Sequence, residues 1–230
     1  MTSVLHTRLR LVACALAMLL GGCMHTSKAD FMRHYTLSDS TAAAFVQRTS
    51  ASAPARHMVL YIAPIAAPPW LQGTQMFYRL DYRHDARLAA YAHSDWIAPP
   101  ATLLEVVVRH AAAATGDWQA VIGSGEPVGA DTSLHIRLDD FSQDFAQPDH
   151  SRGVLSATAT LVDNNQGSVL GQKSFHIRVD AASANARGGA MALDQASRQF
   201  AVQLDRWLQL MVDQERGRVH FPSVDGSRDR

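Results

Sequence analysis

Cysteine is almost missing from this chain: among 230 residues only Cys14 and Cys23 occur. No thiol follows residue 23, so the body of the chain can form no disulfide, hold no zinc through thiolates and use no cysteine nucleophile. Net charge is missing as well, with 21 Lys and Arg against 21 Asp and Glu. Broad electrostatic binding of nucleic acid needs a basic face, so this balance argues against nucleic acid as a partner. Charged residues are sparse at 18%, but the 47% hydrophobic share is that of a globular chain and not of a disordered one. The length suits one domain with tails. Motifs with a built-in mechanism are absent too: there is no HExxH, no paired-cysteine spacing and no GxxxxGK phosphate loop.

What the chain does have is an address at its N-terminus. Arg8 and Arg10 form a positive segment, and Leu11 to Leu20 is an uninterrupted apolar run of ten residues. That run is too short for a bilayer-spanning helix, which needs ~20 residues. It fits the apolar core of a secretory signal. Small residues Gly21 and Gly22 then precede Cys23. Leu20-Gly21-Gly22-Cys23 resembles the lipobox of bacterial lipoproteins. The resemblance implies removal of residues 1–22, a diacylglycerol on the Cys23 thiol and acylation of the new amine. One acyl chain holds a protein only marginally, whereas two or more anchor it stably at ~0.8 kcal/mol per buried methylene. Met24 stands where Asp commonly retains such proteins at the inner membrane, so the resemblance implies the periplasmic face of the outer membrane. The covalent lipid on Cys23 is the only non-protein group expected, with no cofactor and no metal. Residues 23–33 read as a lipidated tether and 213–230 as a disordered polar tail.

Between them, 34–212 read as one domain. His34 to Leu37 is a short strand candidate, and 38–56 a loop or linker. Met58 to Ile65 is an apolar, β-branched run that suits a buried strand, closed by Ala66-Ala67-Pro68-Pro69. Gln75–Tyr82 and Arg87–His93 make a hairpin whose apolar residues fall in both phases, which predicts cover on both faces and leaves room for another subunit as part of it. Pro99-Pro100 introduces a helix with Leu103, Leu104, Val107, Val108, Ala111 and Ala114 on its apolar side, and Gly116 stops it. Trp118–Ile122, Ser133–Phe141, Val154–Val162 and Val169–Val179 are strands, the last two joined by an Asn164-Asn165-Gln166-Gly167 turn. A long helix over 190–212 carries Leu193, Ala196, Phe200, Leu204, Trp207, Leu208 and Met211 on one stripe. Strands then a helix, twice over, predict an α+β fold: a mixed or antiparallel sheet with two main helices packed on it.

The polar candidates favour structural roles. His135 and His176 fall in the polar phase of their strands beside Arg137 and Arg178, as solvated sheet-face residues do. Ser124 lies between Gly123 and Gly125 without the frame or following helix of a nucleophile turn. Gly188-Gly189 reads as a turn. Asp139, Asp140 and Asp144 read as a solvated strand edge. Trp96 reads as an aromatic wedge where strand gives way to helix, with contact to a partner or lipid as the functional alternative.

The order of these features resembles the ABC-type transport auxiliary lipoproteins. The carrying residues are Cys23, His34-Tyr35-Thr36-Leu37, the stretch from Leu60 to Leu80 with Pro68, Trp70-Leu71, Gln75-Met76 and Arg79, and then Trp96 with Pro99 before a helix. This chain departs at Gln72-Gly73, where many members have Asp-Arg, and at Ala98, where many have Glu. The resemblance implies a non-enzymatic component of an MCE (Mla-like) transport system, whose partners are an MCE-domain protein and the ABC transporter subunits. Such a component docks a periplasmic lipid-carrying bridge at the outer membrane. Trp70, Leu71, Gln75 and Trp96 are its candidates for a partner surface or the core beneath one. The alternatives are another envelope assembly or scaffold lipoprotein, and a lipid-tethered periplasmic enzyme.

Overall fold

A computed structural model describes residues 31–38, 56–83, 87–126 and 129–219. The signal segment, Cys23, most of the tether, most of the 38–56 loop and the end of the tail lie outside the described residues.

The fold is organised around one strand. From Leu134 the chain alternates, with Leu134, Ile136 and Leu138 buried and His135 and Arg137 exposed, so it forms a strand with one face inward. This strand, β6 (Thr132–Gln147), runs well past the expected end at Phe141. A bulge between Leu138 and Asp140 shifts the register. Beyond it both faces are covered: Phe141, Ser142, Gln143, Asp144 and Phe145 are all buried. A fully covered strand needs no alternation, which is why the sequence pattern stops while the strand goes on.

One edge of β6 pairs along its whole length with β7 (His150–Asp163), antiparallel, and β7 pairs likewise with β8 (Ser168–Asp180). The turn between β7 and β8 is the expected 164–167 segment, with Gly167 at φ 64°. The other edge of β6 is shared by two strands in succession. β2 (Arg56–Ile62) lies parallel to its start, with Leu60 opposite Thr132, and β3 (Gln75–Arg79) lies parallel to its end, with Arg79 opposite Asp144. Between them Ala66 bridges Arg137. Outside β2 lies β5 (Trp118–Ile122), parallel. Outside β3 lies β4 (Leu88–Trp96), antiparallel, and then β1 (Arg33–Tyr35), parallel to β4. The sheet is mixed and eight-stranded. β3 ends three residues before the expected Tyr82, because Asp81–Arg83 closes into a 3-10 turn.

Two helices cover one face, which makes the domain α+β. α1 (Pro100–Ala114) starts at the proline pair and ends at Thr115, with Gly116 at φ 68°. α2 (Ala186–Val219) is longer than the expected 190–212 at both ends. Its start is set by Asn185, whose side-chain oxygen accepts the Gly188 N–H at 3.0 Å. It also continues through Val219, into what the sequence assigns to a tail. Leu193, Ala196, Phe200, Leu204, Trp207 and Leu208 are buried against the sheet. Each large side chain so buried contributes roughly 1.5–3 kcal/mol.

α2 crosses β7 closely at Gly153. A Cβ there would lie 2.8 Å from the Leu193 nitrogen and 2.9 Å from the Ala192 carbonyl carbon. These are backbone atoms of a packed helix and cannot swing away. Gly153→Val is expected to destabilise the domain by about 1–3 kcal/mol, as overpacking does. A urea midpoint equal to wild type would show that the helix sits farther from the strand.

Candidate docking site on the first hairpin

Four residues singled out by the sequence meet at one end of the β3–β4 hairpin. Pro68 and Pro69 preset the backbone for a 3-10 turn over Pro69–Leu71, closed by Leu71 N–H donating to Pro68 at 2.9 Å. This turn sends Trp70 and Leu71 to opposite sides. Leu71 is fully buried. Trp70 is half-buried and stands edge-on to Phe77, with ring centroids 5.5 Å apart. Gln75 opens β3, is exposed, and lies opposite Asp95 of β4. Its side chain folds back over Gly73. Trp96 ends β4, and its N–H donates to Thr74 at 2.8 Å. Its ring is 1% exposed and packs on Phe141 at 5.3 Å and Tyr35 at 6.5 Å.

The four therefore separate into two layers. Leu71 and Trp96 are core, so neither is itself a contact surface; Trp96 is the wedge expected of it. Gln75 is exposed, and Trp70, half-buried, packs against the edge of the core. Among the described residues the Trp96 Nε1 has no hydrogen-bond partner.

The far end of the hairpin holds a polar cluster that sequence reasoning missed. Of the three carboxylates read as a solvated edge, only Asp139 fits, paired with exposed Arg137 at 2.6 Å. Asp140 and Asp144 instead converge on Arg79 of β3, at 2.8 and 3.2 Å. The same guanidinium donates to Ser142 at 2.7 Å. The signal was the spacing of 140, 142 and 144, which places all three on one face of a strand. Burial, then the charge of Asp81, pushes the Asp144 carboxyl above its ordinary pKa, while Arg79 opposes the rise. Burial also works against the Arg79 charge, but hydrogen bonding and attraction from Asp140 and Asp144 outweigh it and raise its pKa.

On the opposite face Gln143, fully buried, accepts from the Tyr91 hydroxyl at 2.8 Å and donates to Ser151 at 2.7 Å. Burial pushes the Tyr91 hydroxyl pKa up. Gly189 sits directly on Gln143 and Gly188 on the Ser183 carbonyl. The two glycines thus form the packed first turn of α2 and not the free turn the sequence suggests. His135 and His176 are exposed on the uncovered sheet face, and Ser124 is exposed in a turn.

The sequence profile of the ABC-type transport auxiliary lipoprotein component matches residues 35–205. The chain belongs to this family. No curated protein matches it. Among solved structures it is similar to protein XCC0632 from Xanthomonas campestris, with TM-score 0.64 and 21% identity over 71% of this chain and 91% of that one. It is also similar to an uncharacterized protein, with TM-score 0.59 and 17% identity over 77% of this chain and 99% of that one. At these identities the likeness is one of fold. The family is one of auxiliary lipoprotein components of transport. Among the described residues no helix is long and apolar enough to cross a membrane. A lipoprotein family with such a domain fits an envelope protein attached to its membrane through lipid.

Proposed function

We propose that this protein is the outer-membrane docking component of an MCE (Mla-like) ABC transport system. Acyl chains on Cys23 would fix it to the periplasmic face of the outer membrane, and Trp70 with Gln75 would contact the MCE-domain protein. The observation that supports this reading is the family match over 35–205 behind a lipobox-like Leu20-Gly21-Gly22-Cys23. Arg33, the first residue of β1, lies ten positions after Cys23, so the tether reaches at most about 35 Å. Confinement to that shell raises the effective concentration of domain and partner for each other. Leu71 and Trp96 serve the surface from beneath, by holding the turn and the strand end that carry it.

Partner capture from native membranes tests the reading. Cys23→Ala is expected to move the protein from the membrane fraction to the soluble periplasm. A photoreactive residue in place of Gln75 is expected to crosslink to an MCE protein in the lipidated chain, and Trp70→Ala to lower that yield several-fold without unfolding the domain. Intact lipidation with no MCE or transporter component captured would sink the docking role and leave an anchored envelope lipoprotein of another assembly.

A further inference from the structure

The chain enters the domain through β1, and β1 is a weak hold. It has three residues, Arg33–Tyr35, paired with β4 at the edge of the sheet. Arg33 and His34 are exposed. So short an edge strand is marginal by itself. Tyr35 adds an edge-on contact with the Trp96 ring at 6.5 Å, and Leu37 is buried. A stronger hold lies just beyond, at Ser38. Asp194 of α2 accepts the Ser38 backbone N–H at 2.6 Å and the Ser38 hydroxyl at 2.8 and 3.0 Å. Arg198, one turn along α2, donates to the same hydroxyl at 2.6 Å and to Asp194 at 2.5 Å. A helical pair of this spacing is worth little when it only pairs with itself. This one closes on the backbone of a segment 156 positions away, through charge-assisted bonds to a carboxylate that is 17% exposed.

That grip decides how much chain lies between anchor and domain. With Ser38 held, the tether runs from Cys23 to Arg33, at most about 35 Å. The next strand after Ser38 is β2, which starts at Arg56 and is paired on both sides, with β5 and β6. With Ser38 and β1 released, the chain is next fixed at Arg56, 33 positions after Cys23, a span of at most about 115 Å. Residues 39–55, outside the described residues, contribute length alone to that bound. We infer that Asp194 and Arg198 clamp the chain at Ser38, and that opening this clamp lets β1 peel from β4 and roughly triples the reach of the lipid tether. The clamp's role in reach rests on the anchoring of Cys23 proposed above, and not on which partner docks.

Hydrogen exchange and resonance energy transfer on the lipidated protein in phosphatidylcholine vesicles, with no partner present, test the clamp. Asp194→Ala is expected to speed amide exchange at 33–38 by about tenfold or more, the worth of a charged hydrogen bond, while 134–138 and 154–162 keep their wild-type rates. A dye on Ser174→Cys, at an exposed position of β8 and the one free thiol of the cleaved, acylated chain, reports the separation of the domain from acceptor lipids. On the square-root law for a flexible chain, the mean span of the tether is expected to grow about 1.8-fold in Asp194→Ala, so that transfer falls. Ser38→Pro removes the N–H and the hydroxyl without touching α2. It is expected to have the same two effects, and it keeps the test alive if Asp194→Ala fails to fold. Exchange at 33–38 unchanged in both variants, or faster exchange with transfer unchanged, would overturn the clamp. Protein that does not associate with the vesicles would instead overturn the Cys23 anchor, and the clamp's role in reach with it.

Discussion

Arg79→Met is expected to destabilise the domain by about 2 kcal/mol at pH 7, and by much less near pH 3. The substitution keeps the side-chain stem and removes the charge that Asp140 and Asp144 share at 2.8 and 3.2 Å. Both carboxylates are mostly shielded, with side-chain exposures of 20% and 12%, so water replaces the lost partner poorly. The direction with pH follows from Asp144. Its folded pKa already lies above the ordinary value because of burial and Asp81. A raised acid binds protons better in the folded state, so its ionisation costs stability as pH rises through the folded pKa. Without Arg79 that pKa rises further, and the cost at neutral pH grows. Below the ordinary carboxylate value the group is protonated in both states, and the cost vanishes. Urea unfolding at the two pH values reads the difference. Asp144→Asn in the Arg79→Met background is expected to recover part of the loss at pH 7. An equal loss at both pH values would mean that the arginine stem, and not its charge, holds the hairpin to β6.

Phe200→Ala is expected to cost more, about 3–5 kcal/mol, and to lower the melting temperature by roughly 10 °C. Phe200 is fully buried in the middle of α2, and its ring stands edge-on to Phe175 of β8 at 5.2 Å. Truncation leaves a cavity between helix and sheet that two rigid elements cannot close. Phe200→Leu refills most of that space and is expected to cost much less. Thermal unfolding followed by circular dichroism distinguishes them. A Phe200→Ala shift no larger than that of exposed Gln203→Ala would mean that this helix face does not carry the core.

The legible parts of this fold were those whose signal is local. Pro99-Pro100 and Gly116 bracket α1 because proline presets the first turn and glycine tolerates positive φ after the last. Asn164 to Gly167 marks the β7–β8 turn for the same reason. The stripe from Leu193 to Leu208 identified the buried side of α2. The ends of α2 were less legible, since its start depends on an Asn185 cap and on Gly188 and Gly189 accepting close neighbours. Of the candidate site, Trp70, Leu71, Gln75 and Trp96 were found as a group. Which of them face outward was not legible, because a 3-10 turn splits adjacent residues between core and surface.

By itself, then, the sequence determined the N-terminal address motif, the absence of thiols from the domain, the α+β class and the two helices, because each depends on residues close together in the chain. Only the tertiary structure decided that the sheet is mixed and that β2 and β3 lie end to end along one edge of β6. Those pairings join residues some seventy positions apart, Leu60 with Thr132 and Arg79 with Asp144. The β6 bulge and those pairings together bring Asp140, Ser142 and Asp144 under Arg79. Backbone pairing between distant segments leaves no periodic trace in either one. Its outcome rests on which arrangement buries the most apolar surface while still giving each buried charge a partner.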